Sequence, residues 1–129
     1  MKTIISISFV IFIAAAIAFA VTLTQQELDE LDLNMAKHAV SEFKAGKRNG
    51  VTSENGYIPD TNTAVAVAIA VWTPIYGEKQ IAQEHPIKAW LIDDLWVVSG
   101  SLPEGYDGGV AEAIIRKQDG QVLLVRHGE

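Results

Sequence analysis

Between Asp60 and Gly77 lies the stretch that most limits what this chain can fold into: Asp-Thr-Asn-Thr-Ala-Val-Ala-Val-Ala-Ile-Ala-Val-Trp-Thr-Pro-Ile-Tyr-Gly. Nine consecutive apolar residues, Ala64 to Trp72, form its centre. Val65, Val67, Ile69 and Val71 alternate with alanines, which is a strand pattern. Two features favour a helix instead. Alanine has the highest helix propensity, and Asp60, Asn62 and Thr63 are N-cap residue types. As a strand, the run would present Ala64, Ala66, Ala68 and Ala70 on one side, a poor strand face. A buried helix from about Thr63 to about Trp72 is therefore expected. A helix apolar all round must be covered all round, so later strands and an earlier helix are both expected to touch it. Pro74 to Gly77 is expected to turn the chain toward the first strand.

The N-terminal end reads as a targeting segment. Lys2 is a short positive region, Ile4 to Ile17 is apolar apart from Ser6 and Ser8, and Ala18-Phe19-Ala20 fits the small-x-small cleavage rule. The competing reading is an uncleaved anchor, because Ile4 to Leu23 is about long enough to span a bilayer. Either way the folded part is expected outside the cytoplasm: periplasmic or otherwise exported, or anchored in the inner membrane and facing outward. The segment from 21 to 129 is expected to be a single domain. From Val21 onward nine basic residues face sixteen acidic ones, a net charge of −7. That argues against nucleic-acid binding, which needs a basic face, and is compatible with a basic protein partner. The absence of cysteine excludes disulfides, thiol catalysis, cysteine zinc sites and a lipid-modified cysteine.

Thr24 to Ala45 reads as a helix. Thr24 and Glu27 have capping-box spacing, Leu28, Leu31, Met35, Ala39, Val40 and Phe43 recur at helical intervals, and Gly46 is a C-cap type. Lys47 to Asp60 has no periodicity and carries the turn residues Asn49-Gly50, Asn55-Gly56 and Pro59, so it reads as a connecting loop. Glu78 to His85 reads as a polar linker. Four strands are expected at Ile87–Ile92, Leu95–Ser101, Val110–Gln118 and Gln121–His127, an antiparallel meander. Asp93-Asp94 is the turn of the first hairpin, and Asp119-Gly120 is a type I′ signal for the second. These turns set the register. Leu91 would face Trp96 and Ala89 would face Val98. In the second hairpin Ile115 would face Leu124, Ile114 would face Val125 and Glu112 would face His127. One sheet face then covers the central helix. The other keeps Trp90 and Val97, and is either covered by the first helix or long loop or is a contact site.

Helices followed by a meander give an α+β domain. N-terminal helices packed on a curved four-stranded antiparallel sheet form the cone shared by NTF2-like and cystatin-like proteins; composition and periodicity by themselves reach helices on one face of a sheet and no further.

Candidate chemistry is sparse. His38, His85 and His127 have no metal-ligand spacing and read as solvated or locally hydrogen-bonded histidines. Glu112 opposite His127 reads as a cross-strand ion pair rather than an acid–base pair. Gly105, Gly108 and Gly109 lack phosphate-loop spacing. Trp72 and Trp96 read as core. No inward polar pair of the kind an enzyme pocket needs is identifiable, and no metal or cofactor is expected. The Gln-x-Val-x-Gly wedge of a cystatin-type inhibitor is absent.

The residues also carry a resemblance. Thr63 to Ala70 followed by Pro74-Ile75-Tyr76-Gly77, then Ile81 with Glu84-His85-Pro86, then Trp96 to Pro103, Gly108-Gly109-Val110-Ala111, Asp119-Gly120 and His127-Gly128 occur in one order. This succession resembles the NTF2-fold immunity proteins (YbbC/YhhH-like), over about residues 62–129. Val65 and Val67 depart from it, standing where a more polar helix face is expected. The resemblance implies a non-enzymatic protein that binds and neutralises a cognate protein toxin. The expected contact residues are Trp90, Val97, Glu104, Tyr106 and Asp107, because Trp90 and Tyr106 are aromatic anchors and Glu104 and Asp107 could meet a basic partner. The alternative is an NTF2-like small-molecule-binding protein or enzyme with a pocket inside the cone. A membrane partner is expected only through an uncleaved N-terminal segment.

Overall fold

The computed structural model describes residues 22–51 and 53–128. The expected leader or anchor, Met1 to Ala20, lies outside the described residues. The chain divides into two units, one up to Gly50 and one from Val51 onward.

In the first unit, α1 runs Gln25–Lys44. It starts where the capping box predicts: Thr24 Oγ1 accepts from the Glu27 N–H at 3.3 Å, and Glu27 Oε2 accepts from the Thr24 N–H at 2.7 Å. It ends in a Schellman arrangement, the Gly46 N–H donating to Phe43 O and the Lys47 N–H to Glu42 O. No α1 residue is buried. Leu31, Met35 and Phe43 are among its exposed apolar groups.

The second unit holds α2 (Thr61–Tyr76), α3 (Glu78–Gln83) and strands β1 (Lys88–Ile92), β2 (Leu95–Ser99), β3 (Ala111–Arg116) and β4 (Val122–His127). The sheet is an antiparallel meander in the order β1-β2-β3-β4. The central helix is longer than expected at both ends. Asp60 caps it, its carboxylate accepting from the Thr63 N–H at 2.8 Å. Pro74 does not stop it; the helix continues to Tyr76 and ends at Gly77. The polar linker after it is the short helix α3, on which Ile81 is buried.

Within the second unit the burial of α2 is one-sided, so its own sheet does not cover it all round. Ala64, Ala68 and Trp72, spaced four apart, form its fully buried stripe, while Ala66 and Ala70 are exposed and Ile75 is 57% exposed. Residues four apart share a helix face, and the two alanines on this one let the helix lie close to the sheet. Trp96, Val98, Ala111, Ala113 and Ile115 complete the core. The loop before α2 closes one end: Ile58 is buried, and Trp96 Nε1 donates to its carbonyl at 2.9 Å.

The first hairpin has the turn expected of it, and the second does not. Asp93 and Asp94 both have positive φ (48° and 63°), as a two-residue type I′ turn requires, and β1–β2 pair as expected, Ala89 with Val98 and Leu91 with Trp96. Asp119-Gly120 is not such a turn. Only Gly120 has positive φ, and Arg116 pairs with Gln121, leaving the four-residue loop Lys117–Gly120. The Lys117 and Gln118 carbonyls are instead committed to the Ile58 and Tyr57 N–H groups, at 3.0 Å each. A register shift between Ile114 and Ile115 follows, and the pairs become Ile114 with Leu124, Ala113 with Val125, Glu112 with Arg126 and Ala111 with His127.

Trp72→Ala removes the largest fully buried side chain. The cavity is expected to cost about 3–5 kcal/mol by urea denaturation. A loss under about 1 kcal/mol would mean that the helix–sheet layer is not the stabilising core.

Candidate functional site

At the end of α3 the chain places a carboxylate where apolar packing would be expected. Glu84 is its C-cap residue and is 3% exposed. Its oxygens are well supplied with donors. Oε2 accepts from the Ala111 N–H at 2.7 Å, and Oε1 accepts from Gln80 Nε2 at 3.0 Å and from His127 Nε2 at 2.8 Å. Its backbone carbonyl accepts from the Ser101 N–H at 2.7 Å. The carboxylate has room only because residue 100 is glycine: a Cβ there would lie 2.3 Å from Oε2. Burial is the largest single influence on Glu84 and favours the neutral acid. The donors Gln80, Ala111 N–H and His127, with the histidine's charge, together hold its pKa below the ordinary 4.5.

His127 is the other half of the pair. Its Nε2 faces Glu84, and its Nδ1 lies 2.8 Å from the Gly128 carbonyl. Both neighbours are acceptors, so both ring nitrogens must donate, and the ring that satisfies both is the imidazolium. First the bond to Glu84, then that to Gly128, raise its pKa above the ordinary 6.5. The Tyr76 ring lies 5.2 Å from the imidazole, within cation–π range, at an interplanar angle of 60°. The expectation that His127 faces Glu112 is corrected by the one-residue shift in β3–β4 pairing. Glu112 instead pairs with Arg126, whose Nε donates to it at 2.9 Å. An inward polar pair, judged absent from the sequence pattern, is therefore present. Its members are 43 residues apart, beyond the reach of any spacing rule. The one sequence signal was that both fall within segments carrying the family resemblance.

Beside Glu84 a cleft of about 430 Å³ opens between α3 and the loop after β2. Gln80, Gln83 and Glu84 line one side, and Leu102, Pro103, Tyr106, Asp107, Gly108 and Gly109 the other. Tyr106 and Asp107 are thus brought together. Glu104 is exposed on the same loop but does not line the cleft. Trp90 and Val97 are also brought together, as direct cross-strand partners, but elsewhere. They share the open sheet face with Ile114 and Leu124, in one row across all four strands. Trp90 is 49% exposed. The five expected contact residues therefore divide between a strand-borne row and a loop-borne cleft.

The Glu84–His127 pair offers little acid–base chemistry. A histidine donating at both nitrogens has no lone pair with which to accept a proton, and Glu84 is neutralised by it. Among the described residues no group of three His, Asp or Glu side chains is placed to hold a metal.

Residues 63–129 match the family model described as NTF2 fold immunity protein. The chain belongs to this family. The match takes in nearly all of α2, then α3 and the whole sheet, including Glu84, His127 and both groups of contact candidates. In this NTF2-fold immunity protein the α+β order of helices before a four-stranded meander is the one the resemblance implies. No curated protein and no solved structure matches the chain.

Glu84→Ala leaves the buried Ala111 N–H without its acceptor and is expected to cost about 1–3 kcal/mol for that group alone. The ion pair also gives a pH signature. The Glu84 contribution is present above about pH 4.5 and is lost as pH falls through its lowered folded pKa. The His127 contribution is full below about pH 6.5 and is lost as pH rises through its raised folded pKa. The Tm difference between wild type and His127→Gln is thus expected to peak between those limits. A pH-independent difference would rule out an ionic pair.

Proposed function

We propose that this protein is an exported immunity protein that binds a bacterial toxin stoichiometrically and neutralises it by contact, with no catalytic step of its own. Family membership supports the immunity role. The observation that carries the contact reading is the row Trp90, Val97, Ile114 and Leu124 on the open sheet face. An apolar row with a half-exposed tryptophan is the kind of centre that dominates protein interfaces. Lys88 and the Glu112–Arg126 pair lie in the next row of that face and give it a polar border. Tyr106 and Asp107 form the second contact region, with Glu104 beside them.

The leader at Met1 to Ala20 supports export. An exported immunity protein must meet its toxin where the toxin does harm, so the partner is a toxin acting on cell wall or membrane, or one intercepted on entry. A nuclease fits that location poorly. The net charge of −7 beyond the leader favours a basic partner through faster encounter.

The cleft of about 430 Å³ supports a second reading, a small-molecule-binding member of the fold. A thermal-shift ligand screen distinguishes the two.

The test needs a candidate toxin, sought first among the genes that neighbour the one encoding this chain. Trp90→Ala is expected to weaken binding by about 2 kcal/mol or more, roughly thirtyfold, with Tm nearly unchanged, and to reduce protection of co-expressing cells. Tyr106→Ala reports on the second region separately. Full protection by a folded double variant would remove both surfaces, and detection of the protein only in the cytoplasm with its leader intact would overturn export.

A further inference from the structure

The loop from Ser101 to Val110 is tied at its ends and almost nowhere else. Residues 102–108 are all exposed. Among the described residues the one hydrogen bond inside this run is from the Tyr106 N–H to Pro103 O, at 3.2 Å. Both ends converge on Glu84. At the first, the Ser101 N–H donates to the Glu84 backbone carbonyl, and Ser101 Oγ donates to Pro86 O at 2.6 Å. At the second, the Ala111 N–H donates to the Glu84 carboxylate. The same carboxylate holds His127, and the next residue, Gly128, secures the loop from the other side. Its N–H donates to Val110 O at 3.0 Å. Gly109 packs so tightly against it that a Cβ on Gly109 would lie 1.9 Å from the Gly128 carbonyl carbon. One residue thus joins the end of α3 to the ends of β2, β3 and β4 and closes the base of a loop that spans ten residues.

We propose that Glu84 is a positioning residue: through its hydrogen bonds to Ser101, Ala111 and His127 it clamps the base of the Ser101–Val110 loop and so sets how Tyr106 and Asp107 are presented to a protein partner. The presentation to a partner rests on the contact reading above; the clamp itself does not. A clamp of this kind confers a specific division of labour. The loop tip remains free to adapt, while its two ends are held at a fixed separation by one buried side chain.

The division is testable on the full chain by amide hydrogen exchange, comparing wild type with Glu84→Ala and with His127→Gln. Glu84→Ala removes the charge and both side-chain acceptor oxygens while leaving the backbone carbonyl of residue 84 in place. His127→Gln changes a partly exposed member and serves if the buried variant does not fold. The Ala111 amide loses its partner directly in the first variant. The Ser101 amide bonds only to the backbone of residue 84 and would be untouched unless the two ends act together. The expected result is exchange at least tenfold faster at both Ser101 and Ala111, with the Trp96 and Val98 amides unchanged. Uniform acceleration across sheet and loop would reduce Glu84 to a general stabilising residue and overturn the proposal. So would acceleration at Ala111 without Ser101. No toxin enters this measurement, so its failure faults the clamp, whereas a Tyr106→Ala variant that binds toxin normally faults the contact surface.

Discussion

The close approach of α2 to the sheet, made through Ala64, Ala68 and Trp72, is the constraint on which the remaining geometry depends. Alanines at two of the three buried positions allow the helix backbone to come near β2 and β3, where Val98, Ala111 and Ala113 are correspondingly small. Trp72 and Ile115 then fill the volume that such small residues would leave. This packing decides which side of the sheet is inside. Because strand residues alternate, it also forces Trp90, Val97, Ile114 and Leu124 onto the opposite side. The position of this row, with Trp90 half-exposed, is therefore a consequence of the alanine stripe as well as of its own residue types.

What could be read from the sequence follows how local each determinant is. Thr24 with Glu27, and Asp60 before the alanine-rich run, act within one helical turn, and both helix starts agree with them. The first hairpin was legible because its turn and its register are both local. The second was not. Asp119-Gly120 is a good type I′ sequence, but the backbone of Lys117 and Gln118 is claimed by Tyr57 and Ile58 from across the fold, and the turn widens to satisfy them. Pro74 is a similar case. Its local effect should end the helix, yet packing carries α2 on to Tyr76. Glu84 and His127 were out of reach for the same reason. Each is unremarkable among its sequence neighbours, and their meaning arises only when α3 and the end of β4 meet.

A buried carboxylate usually raises the question of catalysis, because desolvation makes such groups reactive. Here the surroundings do the reverse. Three donors, one of them a cationic ring, stabilise the charged form, and the histidine that could serve as a base has each nitrogen committed to an acceptor. Gly100 leaves room for the carboxylate and little else. A group so fully satisfied resists both protonation and movement, which suits it to holding backbone in place. The polar pair inside this fold is thus better matched to a protein that works by shape than to one that moves protons.

The two proposed contact regions are built on different mechanical principles. Trp90 and Val97 are carried by paired strands whose opposite face is packed on a helix, so their geometry is prepaid and little ordering entropy is lost on association. Tyr106 and Asp107 are carried by an exposed loop held at its base, so they can adjust to a partner at some entropic cost. A rigid apolar row supplies affinity that varies little between related partners, since apolar contact discriminates weakly. A tethered loop bearing an aromatic and an acidic side chain can exclude partners whose charge or shape does not fit. On the proposed contact reading, this division assigns affinity to the sheet and discrimination to the loop. On the same reading, the residue that would set discrimination, Glu84, lies buried inside the protein rather than on the surface that a partner would touch.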